Sequence, residues 1–162
     1  YGVCGATLQN EGDMPYWNMP DKLCQGFPEA ALALNPEIVI LMLGTNDTKP
    51  YNWNRGRYEA QLDQRVKEIL AVPSVKRLIL MCPPFTCPVE GSEIVGYDII
   101  NETIRDEVNP IVKKCAADNG VECIDLYAVT DGHSEYFDDG VHPNSFGNRV
   151  IASAIQKQIL SQ

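Results

Sequence analysis

Residues 38–43, Ile-Val-Ile-Leu-Met-Leu, limit what this chain can fold into more than any other stretch. They are apolar at every position, rather than at every second one, and the run stops at Gly44. A strand with one wet face alternates in polarity, whereas a strand covered on both faces does not. Strands of the second kind belong to parallel sheets with helices on either side. Residues 77–82 read the same way and are stopped by Pro83 and Pro84, and residues 121–126 are a third candidate strand.

Amphipathic stretches separate these runs. Tyr58, Leu62, Val66, Ile69 and Leu70 recur at spacings of three and four, which predicts a helix with one apolar face, ending before Pro73. Ile100, Ile104 and Val108 make a second face. Asn109-Pro110 then reads as the cap and first residue of a new helix, because proline suits a helix start and not a helix interior. That helix would end at Asn119-Gly120. Phe146, Val150, Ile151, Ala154, Ile155 and Ile159 form the last stripe. Strand, helix, strand, helix, strand, helix predicts one domain over residues 1–162, a three-layer, flavodoxin-like, doubly wound α/β fold with a parallel sheet. Three strands make a narrow sheet, and the 38–43 strand is too apolar for an open edge. A further strand-helix-strand unit before Tyr1 is therefore expected, and the bare edge predicts self-association of the chain without it.

Charge narrows the partners. With 13 Lys and Arg against 22 Asp and Glu, the net charge is −9. Nucleic acid and anionic membranes both require clustered cations, so neither is expected as a partner. No apolar run approaches the ~20 residues that cross a bilayer. The six cysteines (Cys4, Cys24, Cys82, Cys87, Cys115, Cys123) show no zinc-like spacing and read as small buried hydrophobes, which leans towards a reducing, cytoplasmic setting. No metal or cofactor is expected.

In an open α/β sheet, ligands gather outside the carboxyl ends of the strands, and three motifs fall there. Gly44-Thr45-Asn46-Asp47 follows the first run directly. Asn46 can aim its amide into the crevice as an anion donor; the plain alternative is a turn with Asp47 capping a helix. Asp139-Gly140-Val141-His142 precedes the last helix. Residues three apart in a tight turn lie within about 7 Å, so Asp139 can hold the imidazole by Nδ1 and leave Nε2 as a general base. The alternative is an exposed capping turn. Gly2-Val3-Cys4-Gly5-Ala6-Thr7 is a small-residue turn whose Gly5 N–H can face a substrate oxygen. His133 has no carboxylate at the same spacing and reads as a surface histidine.

In this order the three motifs resemble those of the SGNH (GDSL-like) hydrolase family. Residues 2–7 match its second block, with Cys4 where serine is common; residues 44–47 match its Gly-x-Asn-Asp block in full; and Asp139 to His142 match its Asp-x-x-His block. The family's nucleophile block, Gly-Asp-Ser, occurs nowhere in the sequence, and loss of an N-terminal segment explains this more simply than mutation. The resemblance implies serine-type ester hydrolysis in the parent protein. His142 would be the base, Asp139 its partner, and Gly5 and Asn46 would be oxyanion donors. The chain alone would be inactive. The loops carrying Tyr16-Trp17 and Tyr51-Asn52-Trp53 resemble those of family members that remove acetyl groups from carbohydrates. These four aromatics are thus candidate contacts for an acetylated glycan, or alternatively anchors for long loops. A small ester substrate of a lysophospholipase or arylesterase, a non-catalytic glycan- or partner-binding module, and a metal-dependent hydrolase using Asp47, Asp139 and His142 are the competing readings.

Overall fold

A computed structural model describes residues 1–161. Its centre is a parallel sheet of β1 (Ile38–Leu41), β2 (Arg77–Cys82) and β3 (Glu122–Asp125), in the order β1-β2-β3. Val39 pairs with Leu78, and Leu80 pairs with Cys123. The expected α/β fold is therefore present, with all three strands on the predicted runs.

Side chains alternate across β2 and sort the helices into layers. Leu78, Leu80 and Cys82 face α2 (Arg55–Leu70) and α4 (Asn109–Asn119), where Tyr58, Leu62, Val66, Ile111, Val112 and Cys115 complete the larger core. Ile79 and Met81 face the opposite way, joining Ile124 and Leu126 against Ile151, Ala154, Ile155 and Ile159 of α6 (Ser145–Leu160). Helices on both faces make the molecule three-layered. Two short helices were not signalled by periodicity. These are α1 (Phe27–Ala33), with Pro28 in its first turn, and α5 (Leu126–Thr130), which follows β3 without a loop.

Cover over β1 is uneven. Its register sets Val39 and Leu41 on the side of α2 and α4, where both pack into the larger core. Ile38, Ile40 and Met42 face the other way and remain 40 %, 37 % and 41 % exposed. A continuous apolar run predicted cover on both faces, but among the described residues α6 packs against β3 and leaves β1 bare on its side.

The break expected at Asn109-Pro110 does not occur. The chain runs helically from α3 (Asn101–Thr103) through a π turn (Ile104–Val108) into α4. Asn109 is buried with helical dihedrals, and its N–H donates to the Ile104 carbonyl five residues back. The wider π turn takes up the residue that a proline would otherwise force out of an α-helical ladder, so Pro110 is accommodated without a stop. The end at Asn119-Gly120 is as expected, with Gly120 in the left-handed region at φ 65°.

Gly44 ends the strand region in a conformation that side chains rarely adopt, φ 137°. A Cβ there would stand 2.7 Å from both the Tyr58 hydroxyl and Val108 Cγ1. The Tyr58 hydroxyl donates to the Leu43 carbonyl at 2.7 Å, so this contact fixes where the loop after β1 begins. Gly44→Ala is expected to lower the stability of the chain by about 2–4 kcal/mol through backbone strain and overpacking, read as an earlier urea midpoint.

Candidate active site

Because the sheet is parallel, the segments following β1, β2 and β3 all leave at one end. These segments carry Asn46, Tyr97 and the Asp139–His142 turn. The Gly2–Thr7 segment joins them through Asp47. This side chain is fully buried: Oδ2 accepts the Leu8 N–H and Oδ1 accepts the Gln9 N–H, each at 2.9 Å. Burial pushes the Asp47 carboxyl above its ordinary value, while the two backbone donors pull the other way. Asp47 is thus neither a helix cap nor a neighbour of His142 in a metal cluster. It is a strut between two loops.

The two loops that Asp47 joins carry two free donors. Val3 to Ala6 forms a turn closed by Ala6 N–H to Val3 O, with Gly5 at φ 77°, the left-handed position that such a turn reserves for glycine. The Gly5 N–H has no acceptor among the described residues. The loop carrying Asn46 is held from below by Asn52, whose Nδ2 donates to the Asn46 carbonyl at 3.0 Å and to Asp13 Oδ1 at 2.8 Å. The Asn46 side chain itself makes no hydrogen bond to the described residues, so its amide is available to an incoming oxygen.

The Asp139–His142 turn is as tight as its spacing predicted. Asp139 Oδ2 lies 2.7 Å from His142 Nδ1, and Oδ1 accepts the Val141 and His142 N–H groups at 3.0 and 2.7 Å. Tyr97 completes the set, its hydroxyl donating to Oδ2 at 3.0 Å. Partial burial raises the Asp139 pKa, but these four donors outweigh it and hold the carboxyl well below the usual carboxylate range. An ionised Asp139 makes Nδ1 the protonated ring nitrogen. Nε2, without a partner among the described residues, is then a lone pair facing outwards on a ring whose side chain is 59 % exposed.

Backbone contacts hold this turn in place. The Gly140 carbonyl accepts the Cys87 N–H at 2.9 Å, from the segment after β2. A Cβ on Gly140 would come within 2.0 Å of the Cys87 carbonyl, so no side chain fits. On the other flank, Asn144 Oδ1 caps α6 by accepting the Phe146 and Gly147 N–H groups, and its Nδ2 donates to the Glu135 carbonyl and to Asp138. Tyr97 was not foreseen. It lies 42 residues before Asp139, and no spacing rule links the two. Its left-handed backbone, φ 61° and ψ 24°, carries no sequence mark beyond the preceding Gly96.

The candidate substrate aromatics divide. Trp17 packs against the larger core with the Arg65 guanidinium 4.8 Å from its ring, and Trp53 packs on Tyr58 and donates from Nε1 to Glu107. The Tyr16 hydroxyl donates to the Tyr1 carbonyl. The two tryptophans tie their loops to the body of the domain, and Tyr16 ties its loop to the N-terminal residue. Tyr51 remains exposed, with Lys49 over its ring. His133 is on the surface as expected, paired with Glu135 and stacked on Tyr136.

The fold and this arrangement define a flavodoxin-like α/β protein with a carboxylate–imidazole pair at the carboxyl ends of its strands. The model of the GDSL-like lipase/acylhydrolase family matches residues 1–150, and the chain belongs to that family. It is 33 % identical to an acetylxylan esterase of Xylanibacter ruminicola, over 98 % of this chain and 35 % of the relative. Among solved structures it resembles Axe2, an acetylxylan esterase of Geobacillus stearothermophilus, with a TM-score of 0.67 and 24 % identity over 83 % of this chain and 64 % of that one. It also resembles a lipase/acylhydrolase of Enterococcus faecalis, with a TM-score of 0.68 and 22 % identity over 83 % of this chain and 66 % of that one. The chain spans about a third of the curated relative and under two thirds of the solved ones.

Two outcomes test the site's frame. Asp47→Ala leaves two buried N–H groups unpaired and is expected to destabilise the chain by about 2–4 kcal/mol, measured by denaturant titration. The depressed Asp139 pKa contributes stability that is fully present above the unfolded value near 4 and is lost as pH falls through the lower folded value. Asp139→Asn should therefore flatten the acid side of the stability curve below about pH 4, leaving its shape between about pH 5 and 8 unchanged.

Proposed function

We propose that this chain supplies the base and two oxyanion donors of a serine-type ester hydrolase that removes O-acetyl groups from carbohydrate. The nucleophilic serine would come from a part of the parent protein outside these residues. One observation carries the reading: an Asp139–His142 pair with a free Nε2 leaves the sheet at the same end as the unpartnered Asn46 amide and Gly5 N–H. The three groups match the roles of a hydrolytic triad and its anion hole.

In the first step His142 Nε2 takes the proton of the serine hydroxyl as Oγ attacks the acetyl carbonyl. Negative charge moves to the carbonyl oxygen, where the Gly5 N–H, the Asn46 amide and the serine's own N–H receive it. Asp139 stabilises the imidazolium that forms. The tetrahedral species then collapses, the sugar oxygen leaves with the proton from His142, and an acetyl-serine remains. Water, deprotonated by the same Nε2, attacks that ester, and the serine oxygen leaves with the proton from His142 as acetic acid is released. The acetylxylan esterases among the relatives support a carbohydrate ester over other esters. The bare face of β1 supports a parent with more sheet than is described here.

The full-length parent is expected to deacetylate acetylated xylooligosaccharides. His142→Ala should lower kcat by at least about 10³-fold, and Asn46→Ala should lower it by about 10²–10³-fold. The 162-residue chain alone should not turn over p-nitrophenyl acetate. Parent activity that survives His142→Ala, or turnover by the chain alone that His142→Ala removes, would overturn the respective half of the proposal.

A further inference from the structure

Tyr97 stands where a free loop side chain would not be expected. It and Asp98 are consecutive non-glycine residues with left-handed backbone, φ 61° and 59°. Such positions are strained for L-residues and persist only where the surroundings hold them. Most of the Tyr97 ring is solvent-exposed, so core packing does not provide the hold. What the strained turn achieves is a placement. The hydroxyl meets Asp139 Oδ2, and the ring stands edge-on to the His142 imidazole, with centroids 5.3 Å apart and planes at 81°. The backbone beneath is anchored on both sides: the Ile99 N–H donates to the Gly96 carbonyl, and the Ile100 N–H to Thr48 Oγ1 in the loop that carries Asn46.

Asp139 Oδ2 is the oxygen that holds His142 Nδ1. Two backbone N–H groups of the turn already hold Oδ1, so the remaining looseness of the pair lies at Oδ2, the oxygen that faces the imidazole. The Tyr97 hydroxyl is a second donor on that oxygen, and it belongs to a different segment of chain. The flat edge of the phenol limits rotation of the imidazole from the side. One residue therefore restrains both members of the pair, and it ties them to the segment after β2 and, through Thr48, to the loop after β1.

We propose that Tyr97 is a positioning residue of the active site, acting through Asp139 Oδ2 and the imidazole edge to keep His142 Nε2 aimed at the nucleophile. This rests on the ester-hydrolase reading above. Tyr97 touches no reacting atom, so its loss should appear in turnover and not in substrate binding.

The test uses Tyr97→Phe, which keeps the ring and removes only the hydroxyl, beside Ile94→Ala, an exposed change in the same loop. In the 162-residue chain, Tyr97→Phe should shift the His142 Nδ1–H proton resonance and speed its exchange with water about tenfold, the loss of one hydrogen bond to a charged group, while Ile94→Ala leaves both as they were. In the full-length parent, Tyr97→Phe should lower kcat about tenfold with KM changed by less than about twofold, cooperative melting being retained. An unmoved resonance together with an unchanged kcat would overturn the proposal. So would a raised KM at constant kcat, which would make Tyr97 a substrate contact, or equal effects of the two variants, which would make the loop as a whole responsible. Should His142→Ala leave parent activity intact, the esterase reading fails, while the resonance in the chain alone still decides whether Tyr97 holds Asp139 against His142.

Discussion

Both oxygens of a single buried carboxylate are taken up by consecutive backbone N–H groups, and the geometry of the site depends on that contact. Asp47 joins the loop after β1 to Leu8 and Gln9, 39 and 38 residues away in sequence. Each segment alone would be a mobile turn rich in small residues. Charge-assisted hydrogen bonds to a group with no access to water are strong, and breaking them exposes a cost on both sides, so the two turns behave as one unit. The Gln9 side chain extends the tie: its Nε2 donates to the Asn52 carbonyl and its Oε1 accepts the Asn54 N–H. The loops that carry Gly5 and Asn46 are joined by this buried polar network, and Leu8 adds apolar packing to it as a buried member of the larger core.

The sheet shows the opposite balance. Its larger core, on the side of α2 and α4, is continuous, while the α6 side buries Ile79, Met81, Ile124 and Leu126 and leaves β1 uncovered. Ile38, Ile40 and Met42 are each about 40 % exposed. Covering them would recover roughly 1 kcal/mol apiece on area grounds. The same strand has an unpaired edge, which in isolation invites pairing with another strand. An apolar cavity of about 460 Å³ runs along that edge between Tyr1, Trp17, Leu32, Leu34 and Ile69. Neither His142, Asp139 nor Asn46 lines it, so the uncovered region and the candidate site are physically separate.

How far the residues alone foretold this depends on the range of each interaction. The three strands and the helices α2 and α6 were legible because periodicity is a local property. Asp139 and His142 were legible for the same reason, since three residues in a tight turn leave the carboxylate little choice but the imidazole. Pro110 misled because proline usually ends a helix, and nothing nearby announces that a π turn will absorb it. The role of Asp47 was hidden because a capping carboxylate and a cross-loop strut look alike until the partner 38 residues away is known. Tyr97 was hidden more deeply, because its contact depends on a left-handed backbone that tyrosine does not favour. The aromatic loops showed the limits of composition: core neighbours and polar partners at the Trp17 and Trp53 rings, which composition does not announce, give both a loop-anchoring role in this structure.

A histidine as exposed as His142 would ordinarily gain little from a carboxylate neighbour, because solvent screens the pair and both side chains lose freedom in holding it. Here most of that ordering cost falls on the backbone. Asp139 Oδ1 is taken up by two N–H groups of its own turn, so the carboxylate is oriented before the imidazole arrives. Gly140, with no side chain to push it away, lies against the Cys87 carbonyl and fixes the turn to the segment after β2. Asn144 closes the other flank by capping α6. Three segments of chain thus converge on one exposed ring, leaving Nε2 open while both carboxylate oxygens of Asp139 are engaged. Solvent exposure and precise aim are reconciled by placing the rigidity in the main chain, where water competes least.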